Sequence, residues 1–144
     1  MPRRPRTIAV DFDGTIVENK FPDIGREKLF AIEALKTLQK KNFRIILWTV
    51  RHGKKLEEAV EFCRERGLEF YAVNSSHPEE EFDPERSSRK IDVDVFIDDR
   101  NVGGYLEWGE IMEWLAPDEE NYLDRYYRKK DSFLHRFFSY FRSN

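Results

Sequence analysis

Two acids stand two residues apart in Val10-Asp11-Phe12-Asp13-Gly14-Thr15, directly after a short β-prone run. Alternate side chains of an extended chain project to the same side, so both carboxylates reach one crevice. Carboxylates this close cannot both stay charged and unpaired without a large cost; the pair calls for a cation, a shared proton, or both. Gly14 permits a sharp turn after them. A second acidic pair, Asp98-Asp99, closes another β-prone run. A cluster of carboxylate and carbonyl oxygens with no His or Cys is a hard-ligand site, which suits a partly hydrated Mg2+ better than zinc or copper.

Two further elements lie between the acidic pairs. Trp48-Thr49-Val50-Arg51 places the Thr49 hydroxyl at the end of an apolar run, with Arg51, His52, Lys54 and Lys55 close behind. These groups either meet an anionic substrate or form a solvated loop and first helical turn. Lys90, eight residues before Asp98, is a candidate fixed cation for a nucleophilic carboxylate and a bound phosphate, with Arg89 beside it as the other candidate. Asp and Gly are ordinary turn residues, and alone the first pair would read as a capped turn. In order with the rest it describes phosphoryl transfer: a nucleophile, a second acid, a metal, and donors for the equatorial oxygens.

Elements must gather these residues. Strands are predicted at Thr7 to Val10, Arg44 to Trp48, Leu68 to Val73 and Val93 to Ile97, each an apolar, β-prone run. Between the first two, from Arg26 to Lys41, Ala31, Leu35 and Leu38 recur at helical spacing. A second helix is predicted from Lys54 to Arg66, with Leu56, Ala59, Val60 and Cys63 on one face and Gly67 as its stop. The stretch 74–89, rich in Glu, Ser and Pro, reads as a loop with one helical turn at most. A last short helix from Trp108 to Leu115 would carry Trp108 and Trp114 as a packing pair. Strands alternating with helices predict an α/β, Rossmann-like, doubly wound parallel sheet of strand order 3-2-1-4. The topological switch then falls between strands one and four, at whose carboxyl ends the acids stand.

On these residues the chain resembles the haloacid dehalogenase superfamily of phosphatases. Its signature, Asp-x-Asp-Gly-Thr after a strand, matches Asp11-Phe12-Asp13-Gly14-Thr15; its Ser or Thr ending a hydrophobic strand matches Thr49; its lysine matches Lys90; its acidic metal motif matches Asp98-Asp99. The resemblance covers residues 7–104. It implies that Asp11 attacks phosphorus, that Asp13 protonates the leaving group and then activates water, and that Asp11, the Asp13 carbonyl and Asp98 bind magnesium, with Asp99 direct or through water. Thr49, Arg51 and Lys90 would contact the substrate. Members of that superfamily usually insert a substrate-selecting cap; the first interval here is too short for a cap domain, and the second has room only for a small lid over 74–89. The Trp48-Thr49-Val50-Arg51 and Phe96-Ile97-Asp98-Asp99-Arg100-Asn101 stretches look like a small bacterial subgroup of short, cap-less hydrolases.

Composition narrows the setting. A net charge of -3, with 37% charged and 40% hydrophobic residues, describes an ordinary soluble chain and implies no nucleic-acid or membrane partner by itself. The single cysteine, Cys63, excludes an internal disulfide, and the three histidines are too few and scattered for a zinc site. No signal peptide or long apolar run is present, so a cytoplasmic protein is expected. The hydrolase domain is expected over 1–116 and a helical extension over 117–144. Residues 125–142 of that extension hold six Lys or Arg against one Asp, +5 with His neutral, among Phe133, Phe137, Tyr140 and Phe141 at helical spacing. Such a face packs on the domain, pairs with a second subunit, or binds nucleic acid or a membrane surface.

A small phosphorylated substrate is therefore expected. A nucleotide or polynucleotide-end phosphatase is the enzymatic alternative, because Ile97-Asp98-Asp99-Arg100 is also similar to polynucleotide phosphatase domains. A metal-binding or scaffold protein that keeps the fold without turnover is the alternative of another class.

Overall fold

A computed structural model describes residues 4–119 without a break, and positions 124, 128, 131, 132, 134–136, 139, 140 and 142 beyond them. Four strands form one sheet: β1 (Arg6–Val10), β2 (Phe43–Leu47), β3 (Ala72–Val73) and β4 (Val95–Ile97). Their order is β3-β2-β1-β4, and every pairing is parallel. This is the α/β, Rossmann-like arrangement expected, with β1 interior. Four consecutive buried residues in β1, Thr7 to Val10, reflect a strand covered on both faces, which is why the sequence there runs apolar instead of alternating.

Register brings the site together. Val10 lies opposite Leu47 on one side and Ile97 on the other, so the chain segments that follow, carrying Asp11, Thr49 and Asp98, leave the sheet at the same edge. The ladder extends one bond further: the Asp11 amide donates to the Ile97 carbonyl at 2.9 Å, and the Trp48 amide to the Val10 carbonyl at 2.8 Å. Ala9, Ile46 and Ala72 form one core cluster with Ile91, against which Trp48, Tyr71 and Val93 pack.

Helix α1 (Ala31–Lys40) buries Ala31, Ile32, Ala34, Leu35 and Leu38 and packs on β2. It begins five residues later than the predicted range, at the first of the periodic residues, Ala31. The backbone of 26–28 is already used: Arg26 O accepts from the Glu18 amide, the Lys28 amide donates to Ile16 O, and Val17 bridges Glu27. Phe30, at φ 65°, then turns the chain into the helix. Helix α2 (Gly53–Glu65) buries Ala59 and Cys63 and stops at Gly67, whose φ of 79° lets the Leu68 amide reach back to the Cys63 carbonyl at 3.0 Å. Leu68 thus belongs to the helix stop, and β3 is the short end of the predicted strand. The 74–89 stretch is a loop, with turns closed by the Glu80 amide on His77 O and by the Ser87 amide on Asp83 O.

Two compact units divide the chain, Met1–Tyr105 and Leu106–Asn144, about ten residues before the boundary read from composition. The second contains α3 (Trp108–Leu115), opened by a reciprocal capping box between Glu107 and Glu110. Trp108 is fully buried, whereas Trp114 is 80% exposed. Six residues apart, the two stand roughly 120° apart around the helix and do not form the expected packing pair. Phe133, Phe137 and Phe141 of the expected aromatic face lie outside the described residues; Tyr140 is exposed. Among the described residues no helix is long and apolar enough to cross a membrane.

Candidate functional site

Asp11, Asp98 and Asp99 converge at the carboxyl ends of β1 and β4. Each is half-buried, and each offers a carboxylate oxygen that lies within 4.8 Å of the other two. The Thr15 hydroxyl donates to Asp11 Oδ2 at 3.1 Å. Asp98 is held by its own turn: the Arg100 amide donates to Asp98 Oδ1 at 2.9 Å, and the Asn101 side-chain amide donates to the Asp98 carbonyl. Asp99 lies over Gly14. A Cβ built on Gly14 would come within 2.3 Å of Asp99 Oδ2, and Gly14 adopts φ 87°, so this turn needs glycine on both counts.

Burial first, and then the like charge of Asp98, push the Asp11 carboxyl up from 3.8 to about 7; the Thr15 hydroxyl pulls the other way. Asp99 Oδ1 is buried and has no hydrogen-bond partner among the described residues. Three converging carboxylates and a buried acceptor lacking a donor are the surroundings that a hard divalent cation fits, and the donor set is all oxygen. Among the described residues Asp11, Asp98 and Asp99 are the group able to hold it.

Asp13 has the opposite setting. Its Oδ2 accepts from Arg51 Nε and its Oδ1 from Arg51 Nη2, both at 2.7 Å. The Arg51 guanidinium also donates from Nη1 to the carbonyls of Pro22 at 3.1 Å and Lys55 at 3.4 Å, and from Nη2 to that of Asp23 at 2.8 Å. Five donors meet five acceptors. With 1% of its surface exposed, Arg51 has no donor left for a substrate. The role expected for it in substrate binding is corrected accordingly: it is a buried clamp on Asp13. The Asp13 side chain in turn stands apart from the three-carboxylate cluster, so any metal contact from this residue falls to its backbone carbonyl.

Thr49 is half-buried at the end of β2, and its hydroxyl accepts from the Arg51 amide at 3.2 Å. Its own amide donates to Asn74 Oδ1 at 2.8 Å, while the Asn74 amide donates to Leu47 O at 2.8 Å. Asn74, at φ 52°, thereby links the ends of β2 and β3. Sequence reasoning missed it; the signal was an Asn, tolerant of left-handed backbone, directly after a strand.

Lys90 is not brought to the carboxylates. It is exposed, with Nζ 5.9 Å from the centre of the Phe96 ring, and Arg89 lies 4.9 Å over Phe82. Its neighbour Ile91 is sunk in the cluster with Ala9, Ile46 and Ala72. Among the described residues neither cation makes an ion pair with Asp11, Asp98 or Asp99. His52 and Lys54 are exposed, and Lys55 pairs with Glu58 at 2.9 Å on the surface of α2.

The fold and this edge define a Rossmann-like α/β protein with an acidic cluster at its topological switch point. No family model matches the sequence, and no curated protein matches it. A solved structure, described as a conserved protein from Bacteroides thetaiotaomicron, is 56% identical, with a TM-score of 0.74, over 80% of this chain and 93% of that one. The chain belongs to the family of that conserved protein, whose description names no activity.

Proposed function

We propose that the chain is a magnesium-dependent phosphomonoester hydrolase that works through phosphorylated Asp11. The observation that carries this reading is the asymmetry of the two acids in Asp11-Phe12-Asp13: one sits among carboxylates with which no cation of the described residues pairs, and the other is held by a buried arginine. The motif resemblance to haloacid dehalogenase phosphatases supports it through Asp11, Asp13, Thr49 and Asp98-Asp99.

Bound Mg2+ would neutralise the cluster and polarise a phosphoryl oxygen. Asp11, as carboxylate, attacks phosphorus; an Asp11–phosphorus bond forms through oxygen as the bond to the leaving oxygen breaks. That oxygen takes its proton from Asp13, whose carboxylate must first be released from one of its bonds to Arg51 and take up a proton from water. In the second step water attacks the aspartyl phosphate, its proton passes to Asp13, and inorganic phosphate leaves with Asp11 restored. Thr49 stands at the same edge as a hydroxyl donor for a phosphoryl oxygen. With Lys90 exposed, the cation bears more of the charge compensation than a fixed lysine would.

The test is a phosphatase screen with magnesium, wild type against Asp11→Asn. Turnover by wild type and a loss of at least about a thousandfold in the variant are expected, as for removal of a nucleophile. Undiminished activity in the variant overturns the mechanism. Magnesium binding with no turnover of any ester would instead favour a metal-binding protein that does no chemistry.

A further inference from the structure

Arg51 touches more than Asp13. The same guanidinium that makes two bonds to the Asp13 carboxylate makes two to the carbonyls of Pro22 and Asp23, and lies 5.2 Å from the Phe21 ring centre and 5.1 Å from that of Phe12. Residues 21–23 form the tip of an excursion that leaves the sheet after Asp13 and returns before α1. It is closed at its base by the Glu18 amide on Arg26 O at 2.8 Å, the Lys28 amide on Ile16 O at 2.8 Å, and the bridge between Val17 and Glu27. Phe21, Pro22 and Asp23 are themselves exposed, so burial alone does not hold the tip down. Among the described residues the polar bonds that reach it from the rest of the fold come from one buried side chain, and that side chain's counter-charge is Asp13.

We propose that Arg51 is a positioning residue that couples the 18–27 loop to Asp13, so that the loop's seating and the aim of the acid–base carboxylate are set by one guanidinium. The coupling follows from donor arithmetic. All five guanidinium N–H groups are engaged in a planar fork, and removing the Asp13 acceptors leaves a buried cation that must reorient, taking the Pro22 and Asp23 bonds with it. Conversely, a substrate that lifts the tip loosens Arg51 and frees a carboxylate oxygen of Asp13 to meet the leaving group. Lysine cannot substitute, because a point charge cannot serve a bidentate carboxylate and two separate carbonyls together.

The catalytic half of this inference rests on the phosphatase reading, and two measurements keep the two separable. First, Arg51→Lys and wild type are compared with magnesium on p-nitrophenyl phosphate, whose leaving group departs without a proton, and on phenyl phosphate, whose leaving group needs one. A mispositioned Asp13 should cost at least about tenfold more in kcat on phenyl phosphate than on p-nitrophenyl phosphate, with similar KM changes for both. Equal losses on the two esters overturn the positioning role. Second, amide hydrogen exchange is measured on the full chain carrying Asp13→Asn, which keeps the shape of the side chain but turns a donor towards Arg51. The Glu18 and Lys28 amides at the base of the loop should gain about tenfold more in exchange rate than the Trp48 amide, bonded to Val10 in the sheet, whose gain reads the global loss of stability alone. A gain at Glu18 and Lys28 no larger than that at Trp48 overturns the coupling. A wild type that hydrolyses neither ester defeats the phosphatase reading, and the exchange measurement still decides the coupling.

Discussion

Asp11 and Asp13 are the same residue two positions apart on one turn, yet they live in opposite electrostatic surroundings. Asp11 shares its space with Asp98 and Asp99, and among the described residues no cation pairs with it; burial and the neighbouring charge push its carboxyl up to about 7. Asp13 is gripped by a guanidinium that is sealed from solvent and serves as its counter-charge. A repeated carboxylate is therefore not a repeated role. One position stores electrostatic tension that a divalent cation would relieve, and the other is neutralised within the protein and can await a partner without one.

The sharpest way to break this comparison is to remove each charge and read stability. Asp13→Ala leaves Arg51 as a buried cation without its counter-charge, and breaking such a pair costs about 3–5 kcal/mol. Asp11→Asn removes a charge from an unpaired cluster, so the metal-free variant should melt above the wild type at pH 8. Urea unfolding in EDTA measures both. If the two substitutions move stability in the same direction, the two acids are not electrostatically distinct.

Next in size is Gly14→Ala. The added methyl would collide with Asp99 Oδ2 and would sit at φ 87°, so Asp99 must swing away. Displacing a ligand or its support should weaken divalent-ion binding by about 10–100-fold while leaving the Asp13–Arg51 side of the turn paired. Calorimetric titration with Mg2+ or Mn2+ checks it, and unchanged affinity would remove Asp99 from the metal site.

The pH dependence should carry the same signature. A carboxyl whose pKa rises on folding from 3.8 to about 7 gives stability that is fully present below about pH 4 and is lost as pH climbs through 7. Metal-free protein should therefore lose Asp11's contribution between pH 4 and 7. Saturating magnesium should oppose that loss, so the metal-induced rise in Tm is larger at pH 8 than at pH 5. Equal rises at both would show that Asp11 is not in contact with the ion.

Much of this could be read from residue order. The sheet order and the meeting of Asp11 with Asp98-Asp99 follow from apolar runs, helix periodicity and the handedness of crossovers, because those signals are local and repeated. The late start of α1 was hidden, since the periodic residues Ala31, Leu35 and Leu38 do not mark where the helix begins and the backbone of 26–28 is claimed by pairing with 16–18. Arg51 was misjudged for a similar reason: a sequence shows a cation near a site, but not whether it faces substrate or a carboxylate 38 positions away. Residue order likewise marks Lys90 as a cation ahead of the acidic pair, but not that its side chain stands exposed beside the Phe96 ring.

The smallest test concerns the partner that residue order concealed. Asn74 accepts from the Thr49 amide and so fixes the loop from which both the Thr49 hydroxyl and Arg51 depart. Asn74→Ala leaves that amide part-buried without its acceptor and removes a residue suited to φ 52°, which together should cost about 1–3 kcal/mol. Asn74→Gly keeps the backbone freedom and loses only the bond, so comparing the two separates strain from satisfaction. If Thr49 is held this way, both variants should disturb the Asp13–Arg51 side, read as faster exchange of the Arg51 amide. The metal affinity of the Asp11 side should stay as in wild type. A fall in metal affinity in Asn74→Gly would mean that the two sides of the turn are one mechanical unit after all.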